Sequence, residues 1–242
     1  MRADDVACSP AAEICRFPVV TVALVGPDGA GKSTISRRLE TLPLAWPVKV
    51  IYMGVNLEAS AMMLPTTRLA LAVKGRLGGA TDMTMRVPGA EPSASLLARS
   101  ARDVKDALRL ALWLAEEWFR QAAALLSARR GAVVVFDRHF LADYVSSQRD
   151  EARRWPAKLH EALLRGTYPR PDLVICLDAP GHVLFGRKGE GSPEWLDGRR
   201  THYLQLANLV PRFAVVDATQ PLDDVTRDVV RLITELIEEN RP

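Results

Sequence analysis

The sequence predicts an α/β fold built on a parallel sheet, and three observations carry that prediction. Five short apolar runs, Val19–Val25, Val48–Met53, Ala132–Phe136, Leu173–Leu177 and Arg212–Val216, alternate with helical patterns. Each run is rich in Val, Ile or Leu without period-two alternation, as in strands covered by helices on both faces. The composition suits one globular core: 242 residues, 48% hydrophobic and 25% charged.

The elements follow in order. Residues 1–17 carry early acidic groups and no continuous apolar segment, so they read as a tail rather than a signal peptide, leaving 18–242 as a single domain. The first strand runs into a glycine loop, and Lys32–Thr41 reads as the first helix. After the second strand, Gly75, Gly78, Gly79, Pro88, Gly89 and Pro92 mark a partly helical insertion at about 55–92 with a Gly/Pro-rich loop. Ser93–Arg130 is a long helix. Leu97, Ala101, Val104, Leu108, Ala111, Ala115, Trp118, Ala122 and Leu125 lie on one of its faces. Gly131 stops that helix just before the third strand. Pro156–Leu164, Gly181–Lys188, Glu194–Leu209 and Leu222–Glu239 complete the helices.

Several function classes are disfavoured. The net charge of +3, from 32 basic and 29 acidic residues, is too small for a nucleic-acid footprint, so no nucleic-acid partner is expected. Cys8, Cys15 and Cys176 lack metal-ligand spacing, and Cys176 reads as a buried thiol. Val104–Leu126 is interrupted by Lys105, Asp106, Arg109, Glu116, Glu117 and Arg120, whereas a membrane span needs about 20 nearly uncharged residues. No membrane span is expected, and the default location is cytoplasmic.

The first strand ends at Gly26-Pro27-Asp28-Gly29-Ala30-Gly31-Lys32-Ser33-Thr34, which fits G-x-x-x-x-G-K-[ST]. Glycines let successive backbone N–H groups turn inward around a polyphosphate. Lys32 reaches the β- and γ-phosphates, the Ser33 hydroxyl ligates Mg²⁺, and the helix start adds its positive dipole end. The sequence thus predicts ATP and Mg²⁺ as cofactors, with Gly26, Asp28, Gly29, Ala30, Gly31, Lys32, Ser33 and Thr34 around the nucleotide.

Further motifs stand in a fixed order: Asp28 inside the loop, Phe136-Asp137-Arg138-His139 after the third strand, Pro171-Asp172-Leu173 opening the fourth, and Arg187-Lys188-Gly189-Glu190 after Asp178. Together they resemble the thymidylate kinase family of nucleoside monophosphate kinases over roughly residues 19–240. The resemblance implies a P-loop NTPase three-layer fold, a five-stranded parallel sheet and a lid at about 186–198. It implies that Asp137 holds Mg²⁺ through water, that Arg138 binds the acceptor phosphate, and that Arg187 and Lys188 close over the phosphates. Lys32, Asp137, Arg138 and Arg187 are then the catalytic set, with Ser33 and Asp137 at the metal and Lys188 at the nucleotide. Asp28 points at the acceptor or bonds only its own loop. Arg120 stands where the family places an arginine near the acceptor, and the loop at Asp217–Pro221 lies beside the adenine. Asp217 also reads as a cap of the last helix, His139 as a wall of the site, and Arg199 and Arg200 as surface groups.

One departure bears on the acceptor. The family carries an Arg-Glu-Pro-Gly-like segment after the second strand, whereas this chain reads Tyr52-Met53-Gly54-Val55-Asn56. The reaction expected is transfer of the ATP γ-phosphoryl group to a small-molecule acceptor, most simply a nucleoside monophosphate, with thymidylate a poor one. Arg68, Arg76 or Arg86 could restore the missing contact. Two other readings stay open. One is a kinase of a nucleoside, sugar or other hydroxyl acceptor, with Asp28, Glu58 or Asp137 as base. The other is an ATP-binding switch or regulatory module. A homodimer is compatible with all of them.

Overall fold

The computed structural model describes residues 19–54, 64, 96–140 and 155–241. The expected tail lies outside these residues, as does the insertion with Glu58, Arg68, Arg76 and Arg86. In chain order the elements are β1 (Thr21–Val25), α1 (Lys32–Thr41), β2 (Val48–Tyr52), α2 (Leu96–Arg129), β3 (Val133–Asp137) and α3 (Trp155–Gly166). Then come β4 (Leu173–Asp178), α4 (Gly181–Lys188), α5 (Pro193–Leu204) with a 3₁₀ turn at Gln205–Asn208, β5 (Phe213–Asp217) and α6 (Leu222–Glu239).

The five strands form one parallel sheet in the order β2-β3-β1-β4-β5. Its central strands are buried on both faces, which is why β1, β3 and β4 read as unbroken apolar runs. Successive residues of β1 still serve opposite layers. Val22 and Leu24 join α1 and α6 through Ile35, Leu39, Val229 and Ile233, while Ala23 and Val25 join α2 and the 3₁₀ turn through Ala124, Ala128 and Leu206. This is the three-layer P-loop NTPase architecture, with the long helix α2 placed between β2 and β3. The edge strands are less buried than their sequence pattern suggests: Val215 on β5 is 52% exposed. Apolar burial, rather than surface charge, attaches α6. Val225, Val229, Ile233, Leu236 and Ile237 are buried, each worth about 1.5–3 kcal/mol. An exposed pair such as Arg38–Asp223 is worth under about 1 kcal/mol.

Helix α2 inverts the expectation drawn from its apolar row. Val104 is 68% exposed, Leu108 61%, and Trp118 and Leu125 45% each. The buried face instead carries Glu116, Glu117, Arg120 and Gln121 beside Ala124 and Ala128. Burying those charges requires partners, and the fold supplies them. Arg120 pairs with Glu116 at 3.3 Å and donates to the carbonyls of Tyr52 and Gly54. Glu117 accepts from the Trp113 indole and the Tyr168 hydroxyl, both at 2.5 Å, and lies 3.0 Å from His160 Nε2 on α3. Burial, together with the Glu117 charge and hydrogen bond, pushes the Tyr168 phenol far above its ordinary pKa.

Candidate active site

Backbone shape comes first. Between β1 and α1 the loop passes directly under β4: a Cβ on Gly26 would meet the Leu177 carbonyl oxygen at 2.4 Å, with φ at +140°. Only glycine fits there. The loop then opens α1, whose first amides have no intrahelical partner by construction, so a phosphate-sized anion finds N–H groups and a positive dipole end.

Lys32 is folded inside this loop, its Nζ donating to the Gly26 and Pro27 carbonyls at 2.7 Å each. Burial, with Arg138 adding its repulsion, brings the Lys32 ammonium down to about 8. Asp28 is half-buried. Burial alone would raise its pKa, but the Lys32, Arg138 and Lys188 cations outweigh it and hold the carboxyl below its ordinary value. Its Oδ1 lies 3.0 Å from Arg138 Nη2 and 3.7 Å from Lys188 Nζ. Asp28 thus gathers cations from β3 on one side and α4 on the other.

Arg138 follows the last residue of β3 and has φ at +63°, unusual for a side chain of its size. Asp137 is buried at the strand end, in register with Leu24 on β1 and Tyr52 on β2, and its Oδ1 has no hydrogen-bond partner. His139 is core rather than site wall. It is packed beside the Phe136 and Phe140 rings, and burial alone brings it down to about 3, so it is neutral. Among the described residues, no group of three His, Cys, Asp or Glu side chains is placed to hold a metal by itself.

A cleft of about 500 Å³ runs from the P-loop to the start of α6. Asp28, Gly29, Ala30, Gly31, Lys32, Ser33 and Thr34 line it, with Arg138, Arg187 and Lys188. Gly26 and Asp137 stand behind that surface. Arg187 Nη2 donates to the Ala218 carbonyl at 2.8 Å, tying α4 to the loop after β5. Ala218, Gln220, Leu222 and Val225 close the far end. The last two belong to the start of the helix expected at Leu222–Glu239, whose apolar first turn gives no hint of a ligand.

Other expected roles change. Asp217 does not cap α6, whose N-cap is Pro221. Its carboxylate accepts from the Thr219 amide at 2.8 Å and hydroxyl at 2.6 Å, since an Asx turn is the nearer partner. Arg200 is not a free surface group: it grips both oxygens of Asp178, at 2.5 and 2.6 Å. Arg199 stacks near Trp195 and Tyr203 at 5.5 and 5.6 Å. Cys176 is buried as expected, and burial raises its thiol to about 12. In the stretch expected as a lid, α5 is anchored. Leu196 is buried, and Asp197 accepts from the Gly181 amide at the start of α4 at 2.8 Å. Among the described residues, the turn at Gly189–Ser192 shows only local contacts, Glu190 with Lys188 at 2.8 Å and Ser192 with the Trp195 amide at 3.2 Å.

No protein-family model matches the chain. Curated relatives do, over nearly its whole length. It is 26% identical over 232 residues to a probable thymidylate kinase of Methanococcoides burtonii, covering 90% of this chain and 97% of that protein. It is 29% identical over 238 residues to a thymidylate kinase of Pseudomonas savastanoi pv. phaseolicola, covering 91% and 97%. With the P-loop at the centre of a 2-3-1-4-5 parallel sheet, this similarity supports a thymidylate kinase-like phosphotransferase of the P-loop nucleoside monophosphate kinase type.

Proposed function

We propose that the chain transfers the γ-phosphoryl group of ATP–Mg²⁺ to a nucleoside monophosphate. One observation carries the reading: Asp28 draws Arg138 and Lys188 together at the mouth of the P-loop, so cations from both sides converge where phosphates are cradled. Phosphoryl transfer is chiefly positioning and charge stabilisation, and such a cluster suits it.

Each residue then has a task. Lys32 exchanges the Gly26 and Pro27 carbonyls for phosphate oxygens. Arg138 leaves Asp28, and Lys188 leaves Glu190, 2.8 Å away, for the incoming phosphates, and the freed Asp28 carboxylate accepts a hydrogen bond from the acceptor. Arg187 stands at the base end of the cleft and neutralises charge on the transferring group as α4 settles. Asp137 and Ser33 would hold Mg²⁺, and the buried, unpartnered Asp137 Oδ1 fits a metal or its bound water. The metal, when bound, supplies neutralisation of phosphate charge.

Thymidylate is a poor acceptor in this proposal. Its family's arginine after β2 is replaced by Tyr52-Met53-Gly54, and one lost charge-assisted contact costs about 1.5–3 kcal/mol, roughly ten- to a hundred-fold in efficiency. Steady-state kinetics with a panel of nucleoside monophosphates tests this. A thymidylate kcat/KM of about 10⁴ M⁻¹s⁻¹ or more would refute the specificity. Turnover of free hydroxyl acceptors alone, or slow acceptor-independent hydrolysis, would overturn the nucleoside monophosphate reading.

A homodimer completes the proposal. The exposed row Val104, Leu108, Trp118 and Leu125 on α2 is the kind of apolar surface that a second subunit covers.

A further inference from the structure

The cleft extends from the P-loop toward β5, so the other half of the sheet's carboxyl edge, over β3 and β2, is left for the acceptor. Two side chains end the strands there. Arg138 follows β3, and Tyr52 ends β2 in register with Asp137. The backbone after Tyr52 is bent tightly. The Met53 amide donates to the Asp137 carbonyl at 3.2 Å, while Arg120 donates to the carbonyls of both Tyr52 and Gly54. This clamp folds Gly54 beneath two side chains. A Cβ on Gly54 would stand 2.4 Å from the Tyr52 hydroxyl, 2.6 Å from Tyr52 Cζ and 2.9 Å from Arg138 Cδ.

That geometry says what Tyr52 does. The phenol and the aliphatic stem of Arg138 lie over the same point beside Gly54, 2.4 and 2.9 Å from it. Asp28 holds the guanidinium end at 3.0 Å. Arg138 therefore has its stem over the point that the Tyr52 phenol also covers and its head held by a carboxylate, on a backbone already in the left-handed region. Arg120 Nη1 holds the two carbonyls and its Nη2 is paired with Glu116, while its buried Nε has no partner among the described residues.

We propose that Tyr52 is the positioning residue of the acceptor half-site: folded over Gly54 and clamped through Arg120, it braces Arg138 and sets where the guanidinium meets the acceptor phosphate. The proposal rests on the kinase reading above and goes beyond it in assigning acceptor selection to the Tyr52–Gly54 turn.

The test uses Gly54→Ala, Tyr52→Ala and Tyr52→Phe in the full chain, with thymidylate and the four common ribonucleoside monophosphates as acceptors. Gly54→Ala must displace the phenol or Arg138, and Tyr52→Ala removes the brace. Both should raise the KM of the best acceptor about ten-fold or more, while calorimetric ATP affinity stays within about two-fold. Tyr52→Phe keeps the ring and should stay within about two-fold of the parent in both. Unchanged acceptor KM in Tyr52→Ala, or a parallel loss of ATP affinity, overturns the proposal, and Tyr52→Ala carries the test if Gly54→Ala does not fold. A parent enzyme that uses none of the five nucleotides refutes the kinase reading instead. Crystal structures of the two alanine variants then decide the bracing alone: an Arg138–Asp28 contact kept at 3.0 Å overturns it, and a broken one supports it.

Discussion

Lys32 sits among carbonyls of its own loop, and its depressed pKa has consequences on both sides of pH 8. Below that value the folded protein holds a buried ammonium at a cost. Between about 8 and the ordinary value of 10.5 the unfolded chain keeps a proton that the folded one has shed, so this residue's contribution to stability rises with pH. Nucleotide binding runs the other way, because a polyphosphate needs the cation. ATP affinity should hold up to about pH 8 and then fall by at most about ten-fold per unit, with proton uptake visible by calorimetry in buffers of different ionisation heat. Lys32→Ala should abolish transfer, flatten that pH profile and remove this residue's rise in stability between about 8 and 10.5, since the shifted ammonium is gone. An unaltered profile in Lys32→Ala would remove Lys32 from the phosphate site.

At the scale of elements, the α4–α5 hairpin joins the site to the core. Ser192 caps α5 by accepting from the Trp195 amide at 3.2 Å, and Pro193 follows at the first helical position. Leu196, the Asp197 cap on α4 and the Arg200–Asp178 fork hold α5 down. Any closing motion is thereby confined to the end of α4 and the turn after it. Hydrogen exchange should find Gly189–Ser192 fast without ligand and slowed when ATP and acceptor are both bound, with Leu196–Tyr203 protected throughout. Uniform protection of the turn in both states would exclude a lid there, and fast exchange across α5 would mean that the whole hairpin moves.

For the molecule as a whole, α2 is the element proposed to meet a second subunit. An apolar row of four large side chains faces outward while its opposite face buries charges against α3 and β2. Covering such a row is worth about 1.5–3 kcal/mol for each large side chain. Sedimentation at about 10 µM should therefore find a dimer, and Leu108→Asp should yield a folded monomer. A monomeric parent protein at that concentration would contradict the dimer.

The sequence alone determined the sheet and the phosphate loop. Both depend on neighbours in the chain: a buried parallel strand must be continuously apolar, and a loop that cradles phosphate needs its glycines, lysine and hydroxyl within nine consecutive positions. β1, β3 and β4 were accordingly legible to within two residues at their ends. The place of Asp137 and Arg138 at the end of β3 was legible, though not the left-handed turn at Arg138. Tertiary structure decided what depends on partners distant along the chain. The Glu117 hub takes one donor from Trp113 on its own helix and others from His160 and Tyr168, 43 and 51 positions on. Asp28 reaches Arg138 across 110 positions. The inverted face of α2 has the same origin: helical periodicity reports that one side is apolar, but only the assembled fold fixes which side it buries. A buried charge becomes affordable once donors converge on it, and no spacing along a single helix records where those donors come from.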